Sequence, residues 1–325
     1  MILLTQRLQG ILVCVGLCLT IMAGGAAVAD SAPILGISQP SLSPDGRTIC
    51  FSYLGDLWTV PAQGGQAIRL TVHEANEGSS CWSPDGNFIA FTSDRSFNPD
   101  VFVVPSDGGL PRKLTFNSRP DVVRDWSADG KWIIFDSYRE VNAPLREGTI
   151  YRANADGTQI KRVIDCTGRN GVLSPDGQTL AFVRGAMPWW RKDYHGSSDQ
   201  DVWLKQLDGS PAKRLTQYDG KDTDPMWSPD GKKIYFLSDR DGVTNVWVMP
   251  TSGGEARKVS NFTTDGAAFA SISRDGSVIA CCLNGRLYTV DTRTGETTRV
   301  DVFAPADVKE NNVEPKTYTS KASEM

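Results

Sequence analysis

Histidine is nearly absent from this sequence, with His73 and His195 the two in 325 residues. A serine triad needs a histidine beside its nucleophile, and no Gly-x-Ser-x-Gly elbow occurs either, so that form of acyl transfer has nothing to be built from. Clustered positive charge is missing too. With 34 Lys and Arg against 38 Asp and Glu the net charge is −4, and no basic stripe is available to neutralise phosphates, which excludes nucleic acid as a partner class. Cysteines are few and lack paired spacing: Cys14 and Cys18 lie in an N-terminal apolar run, and Cys50, Cys81, Cys166, Cys281 and Cys282 make neither a disulfide framework nor a zinc signature. Cys50, Cys281 and Cys282 fall in second-strand positions and Cys81 sits beside a first-strand tryptophan, so these read as small buried side chains, with no metal and no cofactor implied. The acidic group Asp219, Asp222 and Asp224 lacks the spacing and terminal glutamate of an EF-hand and is expected in a solvated link.

What is present begins with a leader. Arg7 precedes an apolar run from Ile11 to Val28 that ends in Ala27-Val28-Ala29, the shape of a secretory signal peptide over residues 1–29 with cleavage after Ala29. Export to the periplasm or the extracellular space follows. An uncleaved anchor is the rival reading, and it is the one route by which a membrane would be involved.

Beyond the leader one unit recurs six times, most fully from Asp224 to Ser260. Its marker is a turn, seen as Ser43-Pro44-Asp45-Gly46, Ser83-Pro84-Asp85-Gly86, Ser127-Ala128-Asp129-Gly130, Ser174-Pro175-Asp176-Gly177, Ser228-Pro229-Asp230-Gly231 and Ser273-Arg274-Asp275-Gly276. Proline presets φ there and glycine accepts φ > 0. The turn glycines are 40, 44, 47, 54 and 45 residues apart, the period of four-stranded propeller blades. Five residues after each glycine stand Phe51, Phe91, Phe135, Phe182 and Phe236, with Cys281 the exception. The third strands carry Trp58, Phe102, Tyr151, Trp203, Trp247 and Tyr288. Such matched apolar positions are what packing between stacked sheets demands.

The expected fold is all-β, a six-bladed propeller of four-stranded antiparallel blades over 30–300, with blades at about 34–71, 72–115, 116–164, 165–216, 217–260 and 261–300 and a tail at 301–325. Each repeat ends in a short strand with a cation, such as Arg69, Lys113 or Arg214, read as protection against edge pairing. Every repeat is complete in itself, so the ring is expected to close without strand exchange, by packing alone.

Function is sought where the repeats differ. From turn glycine to third-strand aromatic the count is 12, 16, 21, 26, 16 and 12 residues, so the loop between second and third strands swells in blades three and four. The largest insertion, from Arg184 to Gln200, contains Trp189, Trp190, Arg191, Lys192, Tyr194 and His195. Paired tryptophans with cations and a tyrosine suit a grip on a peptide or protein, and these six are the candidate binding residues. A plug folded back over the blade is the alternative.

Trp-Ser-Pro-Asp-Gly, the following Ile-x-Phe and the Asp-x-Trp third strand resemble the repeats of TolB-type, WD40-like propellers. Pro188-Trp189-Trp190-Arg191-Lys192, followed by Gly196-Ser197 and Asp201-Val202-Trp203, is narrower and resembles the N-terminal six-bladed propeller of tricorn protease-like peptidases. That resemblance implies a non-catalytic domain of an exported serine peptidase family, binding or gating peptides on the loop face of blades three and four. None of the family's catalytic residues has a matching position, so no catalytic residue is expected here. A stand-alone TolB-like interaction scaffold is the alternative, a propeller lyase or hydrolase a third, and oligomers are left open.

Overall fold

The structure, a computed structural model, describes residues 32–140, 148–185, 196 and 198–305. The chain divides into two compact units, Met1–Ala32 and Pro33–Met325. The leader expected at 1–29, and residues 306–325 of the tail expected at 301–325, lie outside the described residues. Among the described residues there is no helix, and the second unit holds six four-stranded antiparallel sheets, each made from one continuous stretch of chain.

The turn tetrapeptides build each blade from the inside outward. In blade five the Ser228 hydroxyl donates to Asp230 Oδ1 at 2.6 Å and accepts from the Lys233 amide at 2.9 Å, while the Lys232 amide donates to the same aspartate oxygen at 3.1 Å. Gly231 sits at φ 67°. The same serine-to-aspartate bond closes all six turns. A strand pair thus starts from a rigid local hub. A further hoop joins neighbouring turns. A Cβ at Gly86, Gly130, Gly231 or Gly276 would meet the proline of the preceding blade's turn, at 3.8, 3.4, 3.8 and 2.5 Å, whereas Gly177 follows Ala128 and has open space.

Register confirms the repeat reading residue by residue. Phe51 pairs with Trp58, Phe91 with Phe102, Phe135 with Tyr151, Phe182 with Trp203, Phe236 with Trp247 and Cys281 with Tyr288. The five phenylalanines are fully buried, and the hydrophobic clusters lie between adjacent blades, so a blade cannot bury its faces without neighbours. The burial of each phenylalanine contributes roughly 1.5–3 kcal/mol. Cys50, Cys281 and Cys282 are buried small side chains, and burial raises the Cys50 and Cys281 thiols to about 12.

Three expectations are corrected. The fourth-strand cations do more than guard an edge, because each stands opposite a third-strand aromatic and pairs inward: Arg69 to Asp56, Lys113 to Asp100 at 2.7 Å and Arg214 to Asp201 at 2.5 Å, with all three acids buried. Asp222 and Asp224 are in the innermost strand of blade five, with Asp222 fully buried, while Asp219 is exposed in the link before it. The ring closes without exchange between its six sheets, yet not by packing alone. Val302–Phe303 runs parallel to Gly65–Gln66, the Gly65 amide donates to the Asp301 carbonyl at 2.9 Å, and the Ala67 amide to the Phe303 carbonyl at 2.7 Å. At the other end of the chain, Ile34 donates to Val302 at 2.8 Å, and Gly36 and Ile37 both donate to Gly285 at 3.0 Å. The seam is therefore clasped by backbone hydrogen bonds from both ends of the propeller.

Candidate functional site

The innermost strands, Ser38–Leu42, Glu77–Trp82, Asp121–Trp126, Arg169–Leu173, Asp222–Trp227 and Ala268–Ile272, line a central channel. Each begins at the loop face, where the link from the preceding blade delivers it, and ends at the Ser-Pro-Asp-Gly face. Every one of them carries an extra residue where its register slips against the second strand. In five blades that residue is not glycine and yet has positive φ: Gln39 at 51°, Ser79 at 48°, Asn170 at 52°, Asp224 at 49° and Phe269 at 55°. Each such residue costs on the order of 1–3 kcal/mol and persists because the surrounding sheets over-determine it. Arg124 takes the corresponding place in blade three.

These six side chains converge on the narrow part of the channel, a cavity of about 130 Å³. Their chemistry is mixed and mutually bonded. Gln39 Oε1 accepts from the Ser79 amide at 2.7 Å, and Asn170 Nδ2 donates to Asp224 Oδ1 at 2.8 Å. Arg124 Nε and the Asn170 amide both donate to Asp136 Oδ2, at 2.6 and 3.1 Å. Burial raises the Asp224 carboxyl, opposed by the charge of Arg124, and burial lowers the Arg169 guanidinium, helped by the same arginine. A ring offering two amides, a hydroxyl, a guanidinium, a carboxylate and a phenyl can donate to and accept from an extended main chain in one plane.

Below this ring, toward the turn face, the channel widens to about 340 Å³. Its walls are the last inner-strand residues, Leu42, Trp82, Trp126, Leu173, Trp227 and Ile272, and its charged groups are Arg124, Asp125 and Arg274. The Asp125 carboxylate accepts from the amides of Trp126 and Leu173, each at 2.8 Å, while burial pushes it up to about 6.

Trp189, Trp190, Arg191, Lys192, Tyr194 and His195 lie outside the described residues, and so does the length of the insertion between its two ends. Its stem is described. Arg184 stacks over Trp203 at 4.8 Å, and Gly185, at φ 109°, passes so close to the Asp199 carbonyl that no Cβ would fit. The Gln200 amide donates to the Gly220 carbonyl at 3.0 Å and its carbonyl accepts from the Asp222 amide at 2.8 Å. The insertion is thus rooted on the loop-face start of the blade-five inner strand, at the rim of the channel. The other histidine, His73, is taken up locally, with Nδ1 accepting from the Ala75 amide at 3.0 Å.

Sequence reasoning passed over the ring. The signal was there: Gln39, Ser79, Asn170, Asp224 and Phe269 each stand four residues before a turn serine, and their types differ among otherwise matched repeats.

Compared with known proteins, residues 36–296 match the family described as the tricorn protease N-terminal beta propeller domain. The chain is 26% identical over 286 residues to a tricorn protease homolog of Saccharolobus solfataricus, covering 85% of this chain and 22% of that protein. It is 29% identical over 279 residues to tricorn protease homolog 1 of Streptomyces coelicolor, covering 82% and 26%. It therefore spans about a quarter or less of the length of these relatives. The crystal structure of the tricorn protease superposes with a TM-score of 0.69 at 20% identity, over 85% of this chain and 27% of that one. TolB from Acinetobacter baumannii does so with a TM-score of 0.61 at 20% identity, over 81% and 62%.

Proposed function

For a chain that belongs to the tricorn protease N-terminal β-propeller family, we propose the role of a non-catalytic, exported module that binds or gates peptides in its central channel. The observation that carries this is the convergence of Gln39, Ser79, Arg124, Asn170, Asp224 and Phe269 on one narrow ring, five of them at positive φ in the bulges of the inner strands. Strain of this kind gathers where geometry serves a ligand. The ring's groups hold one another through hydrogen bonds and need no nucleophile to do this work. The residues proposed for the grip are Trp189, Trp190, Arg191, Lys192, Tyr194 and His195, in the insertion whose described stem, Arg184–Gly185 and Asp199–Gln200, joins the same rim.

The test is fluorescence anisotropy with labelled unstructured peptides of mixed sequence and the full chain. Saturable binding is expected, weakened by Arg124→Ala and by the Trp189→Ala, Trp190→Ala double variant. Absence of saturable binding across the peptides defeats the proposal. Steady hydrolysis of those peptides by the repurified chain defeats its non-catalytic part.

A second reading, a scaffold that docks a folded protein, is favoured by one surface. Phe97 is fully exposed in a left-handed turn of blade two and Phe116 is largely exposed, while Asn98 Nδ2 ties their loops together through the Asn117 and Arg119 carbonyls at 3.1 and 3.0 Å. Loss of a protein partner on Phe97→Ser with peptide binding intact would select it.

A further inference from the structure

Four of the six turns present a proline at the turn face, and the two that do not are in blades three and six, which stand opposite each other in a six-membered ring. Blade three has Ala128, and blade six has Arg274. Both line the 340 Å³ cavity. From its turn, Arg274 reaches across the mouth of the channel, and Nη2 donates to the Trp126 carbonyl at 3.3 Å, a residue 148 positions away in the opposite blade.

We propose that Arg274 is a latch that bars the turn-face mouth of the channel, so that molecules reach the wide cavity from the loop face through the ring. The proposal rests on the reading of the channel as a peptide site and supplies its regulation. Three features support a latch over an incidental surface contact. Ala128 leaves at the opposite rim the space that a proline ring takes in the other turns, giving the guanidinium room to arrive. The partner is a main-chain carbonyl in a buried residue, a fixed acceptor that side-chain motion cannot withdraw. Asp125, adjacent to Trp126 in the cavity wall, faces the same guanidinium, whose charge favours its ionised form. Arg274 itself stays exposed, as a bar laid across an opening would be. One hydrogen bond of ordinary strength with one screened charge pair gives a latch that opens readily.

Cys81 reports on the mouth without any peptide. It is half-buried and lines the cavity beneath Arg274, whereas Cys50, Cys281 and Cys282 are buried within sheets, and because burial raises the Cys81 thiol well above its ordinary range the labelling is run at alkaline pH. The full chain is treated with a bulky neutral maleimide, and labelling of each cysteine is followed in time by peptide mapping. Cys81 is expected to react about three- to tenfold faster in Arg274→Ala than in the parent, as loss of one hydrogen bond of ordinary net strength predicts. Arg274→Pro, which restores the tetrapeptide of the other blades, is expected to do the same. Labelling of Cys50 and Cys281 stays slow if the variants remain folded, and at least one variant that follows the consensus turn provides that control. A folded variant of either kind that labels Cys81 at the parent rate overturns the latch. A chain that binds no peptide still answers this experiment, so its failure is separable from failure of the peptide reading.

Discussion

Arg240 Nη2 donates to both carboxylate oxygens of Asp222 at 2.9 Å, joining the loop after the second strand of blade five to the start of its innermost strand. The acid is fully buried, and the guanidinium lies 5.1 Å from the Phe236 ring and 5.0 Å from that of Trp247. Arg95 with Glu77 and Arg139 with Asp121 repeat the arrangement in blades two and three. One arginine thus neutralises the inner strand and covers the aromatic pair that holds neighbouring blades together.

Removing that arginine should therefore strand a buried carboxylate. Arg240→Ala is expected to cost about 3–5 kcal/mol, because desolvation of Asp222 is left uncompensated. In a domain of this size that lowers Tm by roughly 2–4 °C per kcal/mol. Asp222→Asn on the same background should recover part of the loss, which thermal unfolding of the single and double variants measures.

The ring of prolines and glycines at the turn face is broken after Ala128, where Gly177 has open space beside it. On an Arg274→Ala background, where no guanidinium uses the space beside Ala128, Ala128→Pro should restore the contact and restrict the unfolded chain, raising stability by about 0.4–1 kcal/mol, and in the parent part of that gain is offset because the ring displaces Arg274 from the Trp126 carbonyl. Urea unfolding would show a higher midpoint at unchanged m.

Two classes of aspartate predict opposite pH slopes. The turn aspartates Asp45, Asp85, Asp129, Asp176, Asp230 and Asp275 are lowered by their serine hydrogen bonds, Asp129 to about 2, so the stability they add is complete above their ordinary range and is lost as pH falls below 4. Asp125 is raised by burial to about 6, so it costs stability above that value and the cost is relieved as pH falls from 6 toward 4. Tm is expected to rise gently from pH 6 to 4 and drop below 4. Asp125→Asn should make the first limb shallower, since Asp121, Asp201, Asp222 and Asp224 are raised by burial as well and still contribute to it, and should leave the second.

At the seam, a Cβ on Gly64 would lie 2.6 Å from the Asp301 carbonyl, and φ there is 93°. Gly64→Ala should displace the Val302–Phe303 strand at a cost of roughly 1–3 kcal/mol. Hydrogen exchange should accelerate at the amides of Gly65 and Ala67, which that strand protects, and stay unchanged in blades three to five. Equal acceleration around the whole ring would show that the clasp does not act locally.

The propeller was legible because its determinants are local and recur. A serine-aspartate turn sets each strand pair, and matched aromatics mark the inter-blade faces, so Phe182 could be placed from its distance to Gly177 and Trp203 from the Asp-x-Trp pattern of its strand. The clasp was not legible, because Val302 and Gly65 are far apart in sequence and neither carries a strand signature. Nor were the partners of the cations: Arg69 and Lys113 looked like edge guards because nothing in their own strands names Asp56 or Asp100. The pairs of arginine with an inner-strand acid were half visible in the recurring Ser-x-Arg at 93–95, 137–139 and 238–240, with the acids, one glutamate and two aspartates, 18 residues upstream.

By itself the sequence determined the blade count, the strand order and the buried aromatics, since hydrogen-bonded turns and side-chain period act over a few residues. Only closure of the ring decided which side chains meet across it. Gln39, Ser79, Arg124, Asn170, Asp224 and Phe269 come from six separate repeats, and Arg274 and Trp126 from opposite ones, so they become neighbours only when packing between blades bends the repeats into a circle.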